Sequence, residues 1–219
     1  MIGILGDIHG DFESTVKIME KNRVDFWLGV GDVASDVYEY FTPPAPFYWI
    51  SGNNEDWDMI EKMDKGEIEK QNLHHLKNGE VYQIGNLRII GLGGTFSKNF
   101  YNYKRKDLPH PKNRDFQKTD KRRHFVKEEV ENCKNAGSID IFLSHEAPMP
   151  FKIKGVEAGK WPINYIIKNM RPKTHFFGHH HIFSVKEING ISSVCLDKIP
   201  KSFVLLNTRD FSFERICKL

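Results

Sequence analysis

The chain has 219 residues, of which 39% are hydrophobic and 28% charged, and its formal net charge is +3. This composition is typical of a folded globular protein, and no apolar run approaches the roughly 18 residues of a membrane span, so we expect no membrane association. The opening MIGILGD is too short an apolar stretch for a signal peptide. Cys133, Cys195 and Cys217 are scattered without a CxxC pair, which argues against a disulfide framework or a sulfur-based zinc site and favours a cytoplasmic location.

The first part of the chain alternates apolar runs with helical patterns. Asp11 is placed to cap a helix after the first run, and Ser35 or Asp36 to begin a short helix that the prolines at 43, 44 and 46 end. A further helix is predicted from the stretch NNEDWDMIEKM. This order predicts an α/β sheet with parallel crossovers. The predicted strands are MIGIL (1–5), DFWLGV (25–30) and FYWIS (47–51).

The rest of the chain is less regular. Gly85-Asn86 between two apolar runs predicts a hairpin, and residues 95–120 show no period, as in an ordered insertion or long loop. A charged helix is predicted from about Asp120 to about Asn135, and the C-terminal part predicts two hairpins. The remaining predicted elements are the strand IDIFLS (139–144), the helix INYIIKNM (163–170) and the strand THFF (174–177).

Polar side chains follow five of the predicted strands, four of them through a glycine that lets the backbone turn sharply. In open α/β sheets ligands collect at the carboxyl ends of the strands, so we expect these side chains to converge. Within the run HHH the first and third histidines point the same way in an extended segment, and His180 points away. The seven converging residues are Asp7, His9, Asp32, Asn53, His145, His179 and His181.

Imidazole, carboxylate and one amide form a nitrogen and oxygen ligand set that suits Mn, Fe, Zn, Ni or Co. Seven donors exceed the needs of one open catalytic ion but suit two ions about 3.5–4 Å apart that share a carboxylate. Taken alone, an aspartate is more often an N-cap or turn residue, and a lone histidine such as His145 is more often a buried structural residue. The joint pattern favours the metal site.

The ordered motifs Asp7-Ile8-His9, Gly31-Asp32, Gly52-Asn53-Asn54-Glu55, His145 before a proline, and Gly178-His179-His180-His181 resemble the calcineurin-like metallophosphoesterase superfamily. The resemblance implies an α/β fold of the α+β type, a four-layer αββα sandwich of two mixed sheets flanked by helices. It implies a single metallophosphoesterase domain over residues 1–219 with a basic insertion at about 95–127. It also implies two divalent metal ions, manganese being the first expectation. Asp7, His9, Asp32 and His181 would hold one ion, and the bridging Asp32 with Asn53, His145 and His179 the other.

A narrower resemblance is to RNA lariat debranching enzymes, which cut a 2′–5′ phosphodiester in branched RNA. It is carried by GLGGTFSKNFYNY, RRHFVKEEV, IDIFLSHEAP and PKTHFFGHHHIF. The implied activity is a dinuclear-metal-dependent phosphodiesterase that attacks a nucleotide or nucleic-acid diester in line with metal-activated hydroxide. The expected partner is therefore a phosphodiester substrate, with RNA or a nucleotide as candidates.

One position departs from the family pattern. Most relatives have a histidine after the asparagine of this motif, where the chain has Asn54. An amide donates a hydrogen bond but cannot give up a proton. The residues expected to act directly in catalysis are Asn54, Asp32 and His180, and Glu55, His180 or water are the alternative proton donors.

Positive charge is concentrated between residues 104 and 127, which hold ten Lys/Arg against three Asp, a net +7. Such a segment suits a phosphate backbone, with Tyr101, Tyr103 and Phe116 available for base stacking, although a solvated charged surface is the alternative. The candidate substrate-binding residues are Lys121, Arg122, Arg123 and His124.

Two other functions fit the same fold. A protein-interaction scaffold would have lost metal ligands, but all seven positions are filled here. A phosphomonoesterase or protein phosphatase would be expected to keep the histidine that Asn54 replaces.

Overall fold

The computed structural model describes residues 1–111 and 119–217. Its strands, in chain order, are β1 (Ile2–Leu5), β2 (Trp27–Gly29), β3 (Phe47–Trp49), β4 (Leu73–His75), β5 (Val81–Ile84), β6 (Leu87–Leu92), β7 (Ile141–Ser144), β8 (Lys152–Ile153), β9 (Val156–Glu157), β10 (Thr174–Phe177), β11 (Ser184–Ile188), β12 (Ile191–Cys195), β13 (Phe203–Leu206) and β14 (Phe213–Ile216). The α-helices are α1 (Phe12–Lys21), α2 (Trp57–Asp64), α3 (Lys127–Lys134) and α4 (Trp161–Met170). Short 3-10 turns span Arg105–Asp107 and Lys121–Arg123.

Two six-stranded sheets, ordered β14-β13-β1-β2-β3-β4 and β11-β12-β10-β7-β6-β5, form the centre of the fold. Side chains from both sheets, among them Ile4, Val30, Leu143 and Phe176, share one buried core. Alternate residues point outward, so that Phe142 of β7 packs in a second core with α3 and α4. A third core joins the first sheet to α1 and α2. These layers confirm the predicted αββα sandwich of two mixed sheets.

Four neighbouring strands in each sheet run parallel, β1 to β4 in the first and β6, β7, β10 and β12 in the second. Their carboxyl ends therefore meet at the same edge. The Gly85-Asn86 hairpin is confirmed by the pairing of Ile84 with Leu87, and the two C-terminal hairpins by β11–β12 and β13–β14. Asp11 caps α1 as predicted, since its side chain accepts from the N–H of Ser14.

One predicted helix is absent, and another is shorter than predicted. Residues 33–46 contain turns and no helix, because Tyr38 has a left-handed backbone (φ 61°) and the Tyr40 hydroxyl is drawn to Glu55. The helix expected from Asp120 to Asn135 is broken. Phe125 is buried between His124 and Val126, which both have extended backbones, and its N–H donates to the carbonyl of Thr95. The helix α3 therefore begins only at Lys127.

No helix among the described residues is long and apolar enough to cross a membrane. Cys133 and Cys195 are buried and free, and Cys217 is exposed and free.

Candidate metal centre

The seven predicted donor residues lie together where the parallel strands end. In the first sheet Asp7 and His9 follow β1, Asp32 follows β2 and Asn53 follows β3. In the second sheet His145 follows β7 directly, and the two outer histidines of the HHH run follow β10. The contacts join residues that are far apart in the chain, as the sequence predicts.

One group of donors consists of Asp7, His9 and His181, whose ligand atoms lie within 4.8 Å of one another. Nε2 of His181 is 3.0 Å from Oδ2 of Asp7 and 3.1 Å from Nε2 of His9. Asp7 is 1% exposed, while both histidine rings reach the surface. The group is thus anchored by a buried carboxylate and open toward solvent.

The second group consists of Asp32, His145 and His179, also within 4.8 Å. Nδ1 of His179 lies 3.2 Å from Nε2 of His145, and that Nε2 lies 3.2 Å from Oδ1 of Asn53. His145 is completely buried, and its Nδ1 donates to the carbonyl oxygen of Val30 at 2.9 Å. This bond leaves Nε2 as the ring atom that faces the other donors.

Asp32 connects the two groups through one oxygen. Its Oδ1 accepts the backbone N–H groups of Asn53 and Asn54 at 2.6 and 2.7 Å. Its Oδ2 lies 3.5 Å from Nε2 of His9 in the first group and 3.6 Å from Nε2 of His145 in the second. A single carboxylate oxygen is therefore positioned between both clusters, as a shared ligand requires.

The donor chemistry fits divalent cations. Ring nitrogens, carboxylate oxygens and an amide oxygen approach one another at 3.0–3.6 Å, and a cation among them would be held by the lone pairs that these atoms direct at one spot. The set contains no thiolate and so matches metals that prefer nitrogen and oxygen. Asp7, His9 and His181 could hold one ion, and Asp32, His145, His179 and Asn53 a second.

The site perturbs its own titratable groups. Burial by itself would raise the pKa of Asp32, but His145, His9 and the two backbone N–H groups outweigh burial and hold that pKa below its usual value. Burial opposes protonation of His145, yet the charges of Asp32 and Asp7 raise its pKa. Burial followed by repulsion from His145 lowers the pKa of His179 to about 3. Asp32 is ionised and His179 is neutral at neutral pH, which is the state in which these two groups bind metals.

Backbone strain is concentrated at these residues. His9, Asp32, His179 and His181 all have left-handed backbones, with φ of 48°, 48°, 69° and 52°. For residues with a Cβ this conformation costs free energy and persists where surrounding contacts enforce it, commonly at functional sites. The strand exits therefore hold four of the donor residues in conformations that an unconstrained chain avoids.

Two glycines make room for the carboxylates. A Cβ at Gly52 would overlap the carboxylate of Asp32, and a Cβ at Gly178 would overlap that of Asp7. The backbone N–H of His179, next to Gly178, donates to Asp7 at 3.0 Å. The glycines of the sequence motifs thus permit the close approach of backbone and ligand, in addition to the turn that the sequence predicts.

The residues around position 54 have distinct roles. The Asn54 side chain donates to the carbonyl of Ala34 at 3.3 Å, and its backbone N–H donates to Asp32.

Glu55 is 1% exposed and accepts hydrogen bonds from the backbone N–H groups of Val33 and Gly52 and from the Tyr40 hydroxyl. Burial and then the charge of Asp32 raise the pKa of Glu55 to about 8. Because it is enclosed by these donors, Glu55 braces the loops after β2 and β3, and its position argues against the predicted alternative role as a proton donor.

The ring of His180 lies 5.0 Å from the ring of His179 and 5.0 Å from that of Phe151. Its Nε2 is buried with no hydrogen-bond partner among the described residues. Burial lowers its pKa to about 4, so the ring is neutral at neutral pH. The buried Nε2 does not support the expectation that His180 faces the substrate.

The predicted basic cluster is only partly free to bind a phosphate. Arg122 is paired with Asp58, Glu61 and Asp120 at 2.6–3.0 Å, which argues against it as a phosphate ligand. Lys121 lies over the ring of Phe100. Burial and then the charge of Arg123 lower the pKa of His124 to about 4, and its ring stacks on the same Phe100.

The predicted stacking residues also differ in access. Tyr101 is 8% exposed and lies in the core, whereas Tyr103 is 44% exposed. Residues 112–118 of the basic segment lie outside the described residues, among them Lys112, Arg114, Asp115, Phe116 and Lys118.

Sequence reasoning overlooked Lys160, whose ammonium lies 3.7 Å from Glu146, the residue after His145. Its charge helps to lower the pKa of both His179 and His180. The signal in the sequence was a lone lysine immediately before a helix that begins Trp-Pro, outside the run of basic residues.

Comparison with known proteins identifies curated relatives that are all named lariat debranching enzymes. The chain is 25% identical to that of Entamoeba histolytica, with 90% of this chain and 68% of that protein covered. It is 26% identical to that of Drosophila melanogaster and 25% identical to that of Schizosaccharomyces pombe, with 78% and 67% of this chain covered. The chain spans about a third (36%) of the length of those last two enzymes.

Solved structures share the fold at low sequence identity. TT1561 of Thermus thermophilus superposes with a TM-score of 0.67 at 13% identity, covering 99% of this chain and 97% of that one. A structure from Staphylococcus aureus described as a 5′-nucleotidase superposes with a TM-score of 0.52 at 12% identity, covering all of this chain and 54% of that one. The sequence model described as calcineurin-like phosphoesterase matches residues 1–183, a span that contains all seven donor positions. The chain therefore belongs to the calcineurin-like phosphoesterase family.

Proposed function

We propose that this protein is a dinuclear-metal-dependent phosphodiesterase. The observation that carries the proposal is the position of Asp32 Oδ2, 3.5 Å from His9 and 3.6 Å from His145, between two separate clusters of nitrogen and oxygen donors. Asp7, His9 and His181 would hold one ion, Asn53, His145 and His179 the other, and Asp32 both. Two divalent ions held by these residues would lower the pKa of water and neutralise the charge that develops on a phosphate. Manganese is the first candidate metal.

The chain's own residues set the geometry for in-line attack. The N–H groups of Asn53 and Asn54 fix one oxygen of Asp32, so its other oxygen stays directed at both histidines. The carbonyl of Val30 fixes the orientation of the His145 ring. Preorganised groups of this kind need no rearrangement during the reaction.

Asn54 shapes the choice of substrate. Its side-chain amide can donate a hydrogen bond to a phosphoryl oxygen but cannot protonate a leaving oxygen. General acid catalysis contributes roughly 10²–10⁴-fold in rate, and its absence is most costly for poor leaving groups. The residues therefore favour diesters whose leaving oxygen needs no proton from position 54, because the oxygen is weakly basic or because a bound metal ion would stabilise it.

The proposed substrate class is a nucleotide or nucleic-acid phosphodiester. Support comes from the curated relatives, which are named lariat debranching enzymes, and from the basic residues between 104 and 127. A 2′–5′ linkage in branched RNA is the first specific candidate among such diesters.

The proposal is tested by metal analysis of purified protein together with hydrolysis of bis- and mono-p-nitrophenyl phosphate in the presence of Mn²⁺. We expect two ions per chain and faster hydrolysis of the diester. Preference for the monoester would indicate a phosphatase instead. Absence of both metal and hydrolysis would indicate a binding scaffold. If the diester is cleaved, a panel of nucleotide diesters that includes 2′–5′ linkages identifies the substrate.

A further inference from the structure

A lysine and a tryptophan stand side by side at the start of α4, next to the metal centre. The backbone N–H of Lys160 donates to the carbonyl of Ala147 at 2.8 Å, in the loop that follows His145. The Lys160 ammonium reaches back to Glu146 at 3.7 Å. The same loop that carries a donor residue therefore fixes the position of Lys160 beside it.

The charge of Lys160 is incompletely neutralised. At 3.7 Å its contact with Glu146 is longer than a hydrogen-bonded ion pair, and the lysine side chain is 30% exposed. One Glu146 oxygen instead accepts the backbone N–H of Phe96 at 3.1 Å. Lys160 thus differs from Arg122, whose guanidinium is surrounded by three carboxylates. Its ammonium faces a single carboxylate and is partly exposed, so it can still contact an incoming anion.

Trp161 follows Lys160 and contacts Phe96, whose backbone N–H donates to the partner of Lys160, Glu146. Trp161 is 47% exposed, although large aromatic side chains are usually well buried. It meets Phe96, Tyr101 and Tyr165 at interplanar angles between 60° and 79°, so none of these rings stacks parallel on the indole. The edge contacts hold the indole in place and leave it able to stack on a flat ligand.

Together these two residues match the two parts of a nucleotide. A lysine ammonium binds phosphate oxygens as a point charge, and base stacking on an aromatic ring is tolerant of sequence. We propose that Lys160 and Trp161 form a subsite for a nucleotide joined to the scissile phosphodiester, with Lys160 on a phosphate oxygen and the base stacked on Trp161. The inference rests on the proposed function, and it selects single-stranded nucleic acid or nucleotide diesters over diesters without a base.

Binding to metal-free protein tests the subsite without catalysis. The probe is a fluorescein-labelled short oligouridylate, and its affinity is measured by anisotropy over a range of salt concentrations. We expect Trp161→Ala to weaken binding about tenfold, since stacking contributes roughly one to three kcal/mol per base and 1.4 kcal/mol is tenfold. Trp161→Phe should keep most of the affinity.

Lys160→Gln should reduce the slope of log affinity against log salt by about 0.7, the value for one phosphate contact on a single strand. Lys168→Gln is the matched control, because Lys168 is exposed near the other end of the same helix. We expect its slope to equal that of the unchanged protein. Equal affinities and slopes for all the variants would overturn the subsite.

Hydrolysis separates this inference from the proposed function. The substrates are the p-nitrophenyl ester of thymidine 5′-monophosphate and methyl p-nitrophenyl phosphate, which lacks a base. Trp161→Ala should lower kcat/KM about tenfold for the first and leave the second unchanged. If both substrates are cleaved and the variant changes neither, the subsite is wrong and the function stands. If the unchanged protein cleaves no diester, the function fails, and the anisotropy measurement still decides whether the subsite exists.

Discussion

Nδ1 of His145 lies 2.9 Å from the carbonyl oxygen of Val30, so a residue that leaves one sheet is oriented by a strand end of the other. Val30 follows β2 and His145 follows β7, and the two sheets pack across the shared core. This hydrogen bond turns Nε2 of His145 toward Asp32. The metal centre therefore depends on how the two sheets are packed, as well as on the donor residues themselves.

Replacing Asp32 with asparagine tests the shared oxygen. The variant keeps the shape of the side chain but removes the negative charge that both donor groups share, so we expect the metal content to fall from two ions per chain to one or none. Hydrolysis of bis-p-nitrophenyl phosphate should fall by at least about 100-fold. Plasma mass spectrometry and steady-state kinetics measure the two effects.

The matched control is Asp36→Asn, the same change at an exposed position in the loop that follows Asp32. This control should keep its metal and its activity. An Asp32→Asn variant with two ions and normal turnover would show that the oxygen between the clusters is not a ligand.

Replacing Asn54 with histidine tests the missing general acid. A histidine at this position would supply a transferable proton, so turnover of diesters with an alkyl alcohol leaving group should rise at least about tenfold, within the range of general acid catalysis. Turnover of p-nitrophenyl esters, whose leaving group needs no proton, should change little. The ratio of the two rates in each protein is the measurement, and an unchanged ratio would contradict the assigned role of Asn54.

The strand exits were predictable from sequence because their signals are local. A strand end is indicated by an apolar run followed by a glycine and a polar residue, as at Gly31-Asp32. The same signal identifies the polar side chain at that end. Parallel order then brings such ends to one edge, so Asp32 and His145 could be expected to meet. The left-handed backbone at Asp32 has no comparable signal, because it is imposed by contacts with the loop after β3.

Partnerships that depend on the packed structure could not be predicted. The run after Gly31 has the composition of a short helix, but the bond from Tyr40 to Glu55 holds it as a loop. Arg122 lies in a run of basic residues that resembles a phosphate-binding patch, yet in the folded chain it faces carboxylates from α2. The sequence shows which residues are basic, but contacts in the folded chain decide whether a basic side chain is available to bind a ligand.

Arg122 is therefore expected to stabilise the fold. Asp120 is completely buried and pairs with Arg122 at 2.6 Å, so Arg122→Gln would leave a buried carboxylate without its cation. We expect a loss of about 2–4 kcal/mol in the free energy of unfolding, somewhat below the value for a fully buried pair because Asp58 and Glu61 are partly exposed. Urea denaturation measures this loss.

A charge-matched control is Lys106→Gln, at an exposed position of the same basic segment. Its effect on unfolding should stay within about 0.5 kcal/mol. If Arg122→Gln instead left stability unchanged and lowered the salt slope of oligonucleotide binding, Arg122 would be a phosphate ligand after all.

His175 should make the protein less stable in acid. Its ring is completely buried and stacks against Phe142 and Phe177. Ser144 donates its hydroxyl proton to the carbonyl of Glu146, so Nε2–H of His175 donates to the Ser144 oxygen at 2.8 Å, and the Ser193 hydroxyl donates to Nδ1. The neutral ring is satisfied by these bonds, and burial lowers its pKa to about 3.

The direction of the pH effect follows from the two pKa values of His175. In the unfolded chain the pKa is near 6.5, so between pH 6.5 and about 3 the unfolded state binds a proton that the folded state does not. The free energy of unfolding should therefore fall as the pH falls through this range, by up to about 1.4 kcal/mol per pH unit from this residue. His175→Gln should remove that contribution. Urea denaturation of both proteins at several pH values between 7 and 4, with EDTA present, measures the slopes, and an equally steep slope in the variant would mean that His175 is not the residue responsible.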